Sequence, residues 1–344
     1  MKFTVGYQYF EDGEESFADI VKDFRFNIEE IYFPWLDQPS ARSPATSASG
    51  LTDWEGKDKL MEELKQIKEM NIRLDLLFNA NCYGEKSLSR ELINTVRSII
   101  SYLDDETGLD VVTTTSLIIA EAVKKYFPHI EVRASINMRI GTLQGMGYVK
   151  DLFDSFCLQR EYNRDAGKLG ENIEWCEVNE KKICLLANSG CLNFCPAQTF
   201  HDNLVAHLKE INERKNWQGY NPILCQSHYS TFGNWVSFLQ DSSWIRPEDI
   251  NNYERKVPLI KLATRTHQNP RQVIQAYARG KFAGNLLDLT EPGHGGRFKG
   301  YIVDNTLFPK DWFNTTFNCK GKCNECNYCE KVMEKVLVKM GNMV

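Results

Sequence analysis

The stretch ICLLANSGCLNFCPAQTFH, Ile183–His201, reads as one complete strand–turn–helix unit. Ile183–Ala187 is a continuous apolar run with the length of a buried strand. Asn188-Ser189-Gly190 breaks it with turn chemistry. Cys191 and Cys195 follow, with Pro196 directly after, and a helical pattern begins at Thr199. Free cysteine is among the most buried residue types and often simply packs. Two cysteines in a turn, beside Gly and Pro and outside any apolar face, suit a reactive or ligating role better. The partial positive charge of a following helix N-terminus favours their thiolate form.

The same unit recurs on both sides of this stretch. Strands are expected at Lys2–Gln8, Ile28–Phe33, Ile72–Phe78, Asp110–Thr114, Ile130–Ile136, Ser155–Leu158, Lys182–Ala187 and Pro258–Ala263. Helical patterns follow them, among them Lys57–Met70, Leu88–Leu103, Thr199–Arg214 and Asn269–Arg279. Short, continuous apolar strands alternating with helices indicate parallel strands buried on both faces, and eight units close a (β/α)8 TIM-type barrel. The expected organisation is a barrel over 1–300, with an insertion at 215–251, and a C-terminal cysteine-rich segment with a closing helix, Glu330–Met340, over 301–344. The Ser/Ala/Pro-rich Asp37–Gly50 reads as a lid, a binding loop or a plain surface loop.

Barrel active sites sit at the C-terminal ends of the strands. The residues expected there include Asn79, Cys82, Asn137, Arg160, Asn163, Asn188, Cys191, Cys195 and Arg265.

The chain has 344 residues and a net charge of −5, which gives no general affinity for nucleic acid. No run reaches the length of a membrane span, and the first residues carry no signal-peptide core, so a cytoplasmic protein without membrane contact is expected. Eleven cysteines are many for such a chain. In a reducing compartment, metal or cluster ligation explains them better than disulfides.

The cysteines form two groups. The first centres on Cys191 and Cys195, with Cys82, Cys176, Cys184 and Cys225 as candidate partners. Cys184, inside a strand, also reads as a core residue. Thiolates converging from several loops suit an iron–sulfur cluster, while zinc would accept four thiolates, or three with His201 or His228. The second group is Cys319, Cys323, Cys326 and Cys329, four thiols within NCKGKCNECNYCEKV. Its compact spacing points to a second [4Fe-4S] cluster, with zinc as the alternative. Cys319-x3-Cys323-x2-Cys326 is also the spacing of radical S-adenosylmethionine enzymes. Here it follows the last barrel strand rather than the first, and Cys329 fills the position those enzymes leave open.

The run ANSGCLNFCPAQTFHDN, with CLQREYNRD before it and SWIRPEDINNY, LIKLATR and QAYARGKFAGNLLDL after it, resembles the collagenase-like family of unassigned peptidases. The resemblance covers roughly Met1 to Leu289. It implies a barrel carrying a cysteine-bound [4Fe-4S] cluster on Cys191 and Cys195, with Cys225 and one of Cys184, Cys176 or Cys82. It also implies oxygen-independent hydroxylation of ubiquinone precursors or of tRNA or rRNA bases, with prephenate as an oxygen donor in some members. The cysteine spacing and the four-cysteine tail depart from the family's pattern, so its substrates do not carry over.

The expectation drawn from these readings is a cluster-dependent redox enzyme acting on a small molecule, RNA base or peptide, fed by an electron-donor protein and working alone or as an oligomer. Arg160, Arg164 and Arg265 are the cations that could hold a carboxylate. Asn163 lies beside them in sequence, and His201 could move a proton. Simpler roles stand next to these: Arg265 could pair with Glu161 or Asp165, and His201 could cap its helix. The alternatives for the whole chain are a peptidase and a non-catalytic zinc-binding partner protein. The sequence has neither His-Glu-x-x-His nor Gly-x-Ser-x-Gly, so a peptidase would work by another route.

Overall fold

A computed structural model describes residues 1–10, 14–41, 53–319 and 321–341. Positions 42–50 of the expected Ser/Ala/Pro-rich loop lie outside the described residues.

Eight strands form a closed barrel: β1 (Lys2–Gly6), β2 (Ile28–Pro34), β3 (Arg73–Phe78), β4 (Val111–Thr114), β5 (Glu131–Ala134), β6 (Ser155–Cys157), β7 (Lys182–Leu186) and β8 (Leu259–Leu262). Every pair is parallel, and β8 closes onto β1 with Phe3 opposite Ile260. The helices follow in chain order: α1 (Phe17–Asp23), α2 (Trp54–Glu69), α3 (Arg90–Thr107), α4 (Leu117–Tyr126), α5 (Leu143–Tyr148) and α6 (Ala166–Val178). After β7 come α7 (Gln198–Ala206), α8 (Leu208–Arg214), α9 (Leu224–His228) and α10 (Ser237–Gln240). After β8 comes α11 (Pro270–Arg279). The eightfold alternation read from the sequence is the architecture observed.

Local chemistry explains the helices. On α3, Leu92, Val96, Ile99, Ile100 and Leu103 form one buried stripe, the helical spacing of a face laid against a sheet. Ser89 caps its first turn, and Gly108 ends it in a left-handed conformation. Asp53, Asp165 and Asn269 cap α2, α6 and α11 in the same way. The expected single helix Thr199–Arg214 is two, because the backbone at His207 leaves helical geometry. The second piece has no buried residue to hold it in line with the first.

Beyond the barrel lie β9 (Tyr301–Val303), α12 (Trp312–Phe317), α13 (Tyr328–Val336) and β10 (Leu337–Lys339). The expected closing helix ends at Val336, four residues early. The following Leu337, Val338 and Lys339 pair antiparallel with β9, and this β-rich segment takes ladder hydrogen bonds in place of another helical turn. Among the described residues, no helix is long and apolar enough to cross a membrane.

Strand alternation sends every second side chain into the barrel. Near the N-terminal end these are charged. Arg133 on β5 grips Glu30 on β2 with both terminal nitrogens and reaches Asp75 on β3 at 3.3 Å and Glu131 at 3.1 Å. Arg73 and Lys182 bind Glu131 at 2.9 and 2.7 Å. Burial pushes the Asp75 carboxyl up to about 7, with the Glu30 charge adding to it. Burial also acts to raise Glu30, but Arg133 and Arg73 hold it below the usual carboxylate range. This network closes the floor of the barrel.

Candidate active site at the barrel mouth

At the C-terminal end of β7 the chain is clamped before it can turn. The Asn188 side-chain amide donates to the carbonyls of Ala263 and Leu289, and its oxygen accepts from the Ala263 N–H at 2.6 Å. Ser189 forms a parallel bridge with Glu291. Gly190 lies so close to this partner that a Cβ there would stand 2.3 Å from the Pro292 carbonyl oxygen, which explains the glycine.

The loop then delivers Cys191 and Cys195 on either side of Phe194, whose φ of 51° lies in the left-handed region that a bulky residue rarely occupies. The Phe194 N–H donates to Glu161 at 3.0 Å, and the Asn193 N–H donates to the Asp241 carbonyl at 2.5 Å. Such imposed backbone strain is found where a fold must present a side chain in one orientation.

Cys191 and Cys195 line a pocket with Cys225 of α9, Arg160, His201 and Asn137. Cys225 is buried, and its thiol is pushed up to about 11, first by burial and then by the Cys191 and Cys195 thiols facing it. Asp202 also lines this pocket and accepts from the Asn81 side chain at 3.3 Å.

A second pocket adjoins the first through Asn137 and Arg160. It is lined by Lys261 and Arg265 of the β8 end, together with Glu291. Lys261 lies over the Tyr32 ring at 3.6 Å, Arg265 donates to the Ser40 hydroxyl at 2.8 Å, and Arg160 donates to the Ser189 hydroxyl at 3.3 Å. A third cavity of about 620 Å³ meets the second at Thr266 and Glu291. Its walls are hydrogen-bonding groups, including Asn269, Gln272 and Asp288. The thiol and cationic pockets are much narrower, about 40 and 70 Å³.

The remaining expected residues lie elsewhere. Cys184 faces the barrel interior, directly opposite Cys157 in the β6–β7 register, within a small apolar cluster. Cys176 is on α6, buried in the main core against the outer helices. Cys82 lies in the loop four residues beyond β3 rather than ending the strand; it accepts from the Gly84 N–H at 3.3 Å and does not line the thiol pocket. Asn163 is fully buried, and its amide holds the Leu186 and Ser243 carbonyls at 2.7 and 2.9 Å, so it braces the strand ends rather than the mouth. Arg164 points away from the mouth altogether, beneath Trp244 and Trp312.

Lys261 was missing from the sequence expectations because it sits inside an apolar strand. Its signal was available: it alternates with Ala263 and Arg265 along β8 and the residues just after it. Asp202 had no such signal, since its role depends on where α7 lands.

Cys319 and Cys326 are exposed, Cys323 and Cys329 are half-buried, and none of the four lines the thiol pocket. Among the described residues, no three His, Cys, Asp or Glu side chains are drawn together as they would be around one bound ion.

No known protein-family model matches the chain. It is 26% identical over 292 residues to an uncharacterized protease of Methanocaldococcus jannaschii, a match covering 81% of this chain and 82% of that one. Its fold is similar to that of a U32 peptidase, with a TM-score of 0.52 and 13% identity over 76% of this chain and 92% of the other. A β-1,4-mannanase superposes with a TM-score of 0.40 and 12% identity, over 81% of this chain and 98% of the other. The structural likeness is one of fold. The sequence likeness to a protease supports the resemblance to the collagenase-like peptidases.

Proposed function

Starting from the likeness to the collagenase-like peptidases, we propose that this chain is an enzyme acting on a peptide-like substrate laid across the barrel mouth. The observation that carries this reading is the continuity of three cavities. The body of the substrate would occupy the 620 Å³ cavity, whose amide and hydroxyl walls suit main-chain groups. Its carboxylate would enter the adjoining pocket, where Arg160, Lys261 and Arg265 supply the cations, the two arginines with a planar fork that fits a carboxylate. The reacting bond would then face the thiols. Cys191 or Cys195 could act as a nucleophile with His201 as its base, all three lining one pocket. The names of the protease relative and the U32 peptidase favour hydrolysis as the reaction.

A second reading is favoured by the number of thiols. A nucleophile needs one, whereas Cys191, Cys195 and Cys225 share a single pocket. Three soft donors of this kind fit an iron–sulfur cluster in type, and these three residues would hold it. When bound, it would supply Lewis-acid or electron-transfer chemistry toward an oxygen-bearing substrate. In that case Arg160 and Arg265 hold the same carboxylate, and His201 holds or moves a proton.

One experiment separates the two. Protein purified without oxygen is assayed for peptide hydrolysis before and after iron removal, with iron and sulfide counted for the wild type, Cys191→Ala and Cys225→Ala. Hydrolysis that survives iron removal and disappears in Cys191→Ala supports the peptidase. Bound iron and sulfide that are lost in both variants, without hydrolysis, support the cluster. Protein that neither hydrolyses peptides nor binds iron overturns both.

A further inference from the structure

Helix α7 inverts the usual arrangement of a barrel helix. Such a helix lays an apolar stripe inward, as α3 does with Leu92, Val96 and Leu103. The buried residues of α7 are instead Gln198 and Asp202, 8% and 7% exposed, while the Phe200 ring stands half out in solvent. Gln198, His201 and Asp202 have the spacing of one helix face, and all three line the thiol pocket with Cys191 and Cys195. The inward face of α7 is therefore polar and belongs to the pocket.

On that face Gln198 differs from its neighbours. Asp202 accepts from Asn81 at 3.3 Å. The Gln198 main-chain N–H donates to the Cys195 carbonyl at 3.1 Å, but its side-chain carboxamide makes no hydrogen bond among the described residues. Buried amides are hydrogen-bonded as a rule, so an amide left open on a pocket wall is a group awaiting a partner. The other polar groups there are committed: Asn137 donates to the Asn79 carbonyl at 3.4 Å and Arg160 to the Ser189 hydroxyl at 3.3 Å. The same end of α7 offers main-chain donors as well. Its N-cap position is Ala197, which has no side chain to cap the first turn. The N–H groups of Thr199 and Phe200 take no acceptor among the described residues. Open N–H groups and aligned peptide dipoles give this nine-residue helix a partial positive charge at the end next to Cys195.

We infer that Gln198 is a catalytic residue of the thiol pocket, the hydrogen-bond donor to the oxygen on which negative charge develops, with the first turn of α7 adding its dipole. The inference rests on the hydrolytic reading of the mouth. In the step, the sulfur of Cys191 or Cys195 bonds to the substrate's carbonyl carbon, and the C=O π pair moves onto the oxygen. The Gln198 amide donates to that oxygen. The pair then returns, the C–N bond breaks, and the leaving nitrogen takes the proton that His201 removed from the thiol. The thioester left behind is hydrolysed by water. The oxygen carries full charge only after sulfur has added, so this contact strengthens toward the transition state rather than in the bound substrate. The pocket, about 40 Å³, admits a group of carbonyl size and leaves little room for water to take the donor's place.

The test uses full-length protein purified without oxygen. Short peptides with a free C-terminal carboxylate are the probes, with new amino groups counted, and the peptide cleaved fastest gives kcat and KM. Gln198→Ala is expected to lower kcat ~100- to 1000-fold, the usual loss for one donor to an oxyanion, with KM within about threefold of wild type. Binding of a peptide aldehyde is the second readout, because its adduct with the thiol places an oxygen where the charge develops. Aldehyde affinity should fall together with kcat/KM, whereas affinity for the matching peptide alcohol, which forms no adduct, should hold. Gln198→Glu keeps the size and removes the amide donor, so its kcat should fall at least as far. It carries the test if thermal unfolding shows that Gln198→Ala does not fold. An unchanged kcat in these variants, or a raised KM at unchanged kcat, overturns the role of Gln198 and leaves the hydrolytic reading standing. A wild type that neither cleaves the peptides nor binds the aldehyde overturns that reading and this inference together.

Discussion

At the floor of the barrel, Arg133 meets Glu30, Asp75 and Glu131, and Arg73 and Lys182 complete the set. At the mouth, Arg160, Lys261 and Arg265 line a pocket open to a larger cavity, with Glu291 as the carboxylate on its wall. The floor charges sit on β2, β3, β5 and β7, whereas the mouth cations come from β8 and from the segments that follow β6 and β8. The floor charges are matched to one another and leave little for a ligand to bind. The mouth cations also make hydroxyl and ring contacts, with Ser189, Ser40 and the face of Tyr32. Charge within a barrel thus marks a site only where the fold leaves it aimed at a cavity.

The largest expected effect tests the floor. Arg133→Met removes the cation that grips Glu30 and reaches Asp75, leaving Glu30 only Arg73, and urea unfolding should show a loss of about 3–5 kcal/mol. A loss under ~1 kcal/mol would mean that the floor is not a closed set.

At the mouth the balance reverses. Arg160→Met and Arg265→Met should each lower kcat/KM, or substrate affinity, by roughly 10- to 100-fold, the scale of a charged hydrogen bond, while shifting stability by less than ~1 kcal/mol. If stability falls as far as it does in Arg133→Met, the two ends of the barrel do not differ in this way.

The pH dependence sharpens the contrast. Asp75 keeps its proton in the folded state up to about 7, whereas an ordinary aspartate loses it near 3.8. The folded chain therefore binds more protons between those values, and the contribution of Asp75 to stability declines as pH rises through that window. Asp75→Asn removes the decline, so its stability relative to wild type should rise steadily from pH 4 to 7 in a series of denaturant titrations. A constant difference across the window would contradict the protonated carboxyl.

The smallest effects concern thiols away from the pocket. Cys184→Ala should cost about 1 kcal/mol of packing or less and leave the activity and metal content of the mouth unchanged, and Cys82→Ser should change neither. A loss of mouth metal in either variant would add that thiol to the Cys191, Cys195 and Cys225 set.

The barrel was legible because its signal is local. Most strands are short apolar runs, and helices such as α3 behind Ser89 carry a spaced apolar stripe and a polar cap. Cys191 and Cys195 were legible for the same reason, since turn, thiols and Pro196 are contiguous. Cys225 could only be one candidate among several, because its place depends on the path of the insertion before β8. Asn163 and Arg164 look like site residues in a row of Arg, Asn and Asp. Their side chains are spent on carbonyls of Leu186 and of residues 239–244, a tertiary partnership with no local trace. The end of α13 was misread because Leu337 and Val338 continue a helical pattern, while the pairing that turns them into a strand comes from Tyr301–Val303.

Residues 239–244 bind outward to Arg164 and inward to Asn163 and Asn193. If this short span opens, it lets go of both sides together. In native-state hydrogen exchange, the amides of Asn193 and Phe194 on the thiol loop and of Asp241 and Ile245 around the span should therefore exchange as one cooperative unit with a shared opening free energy.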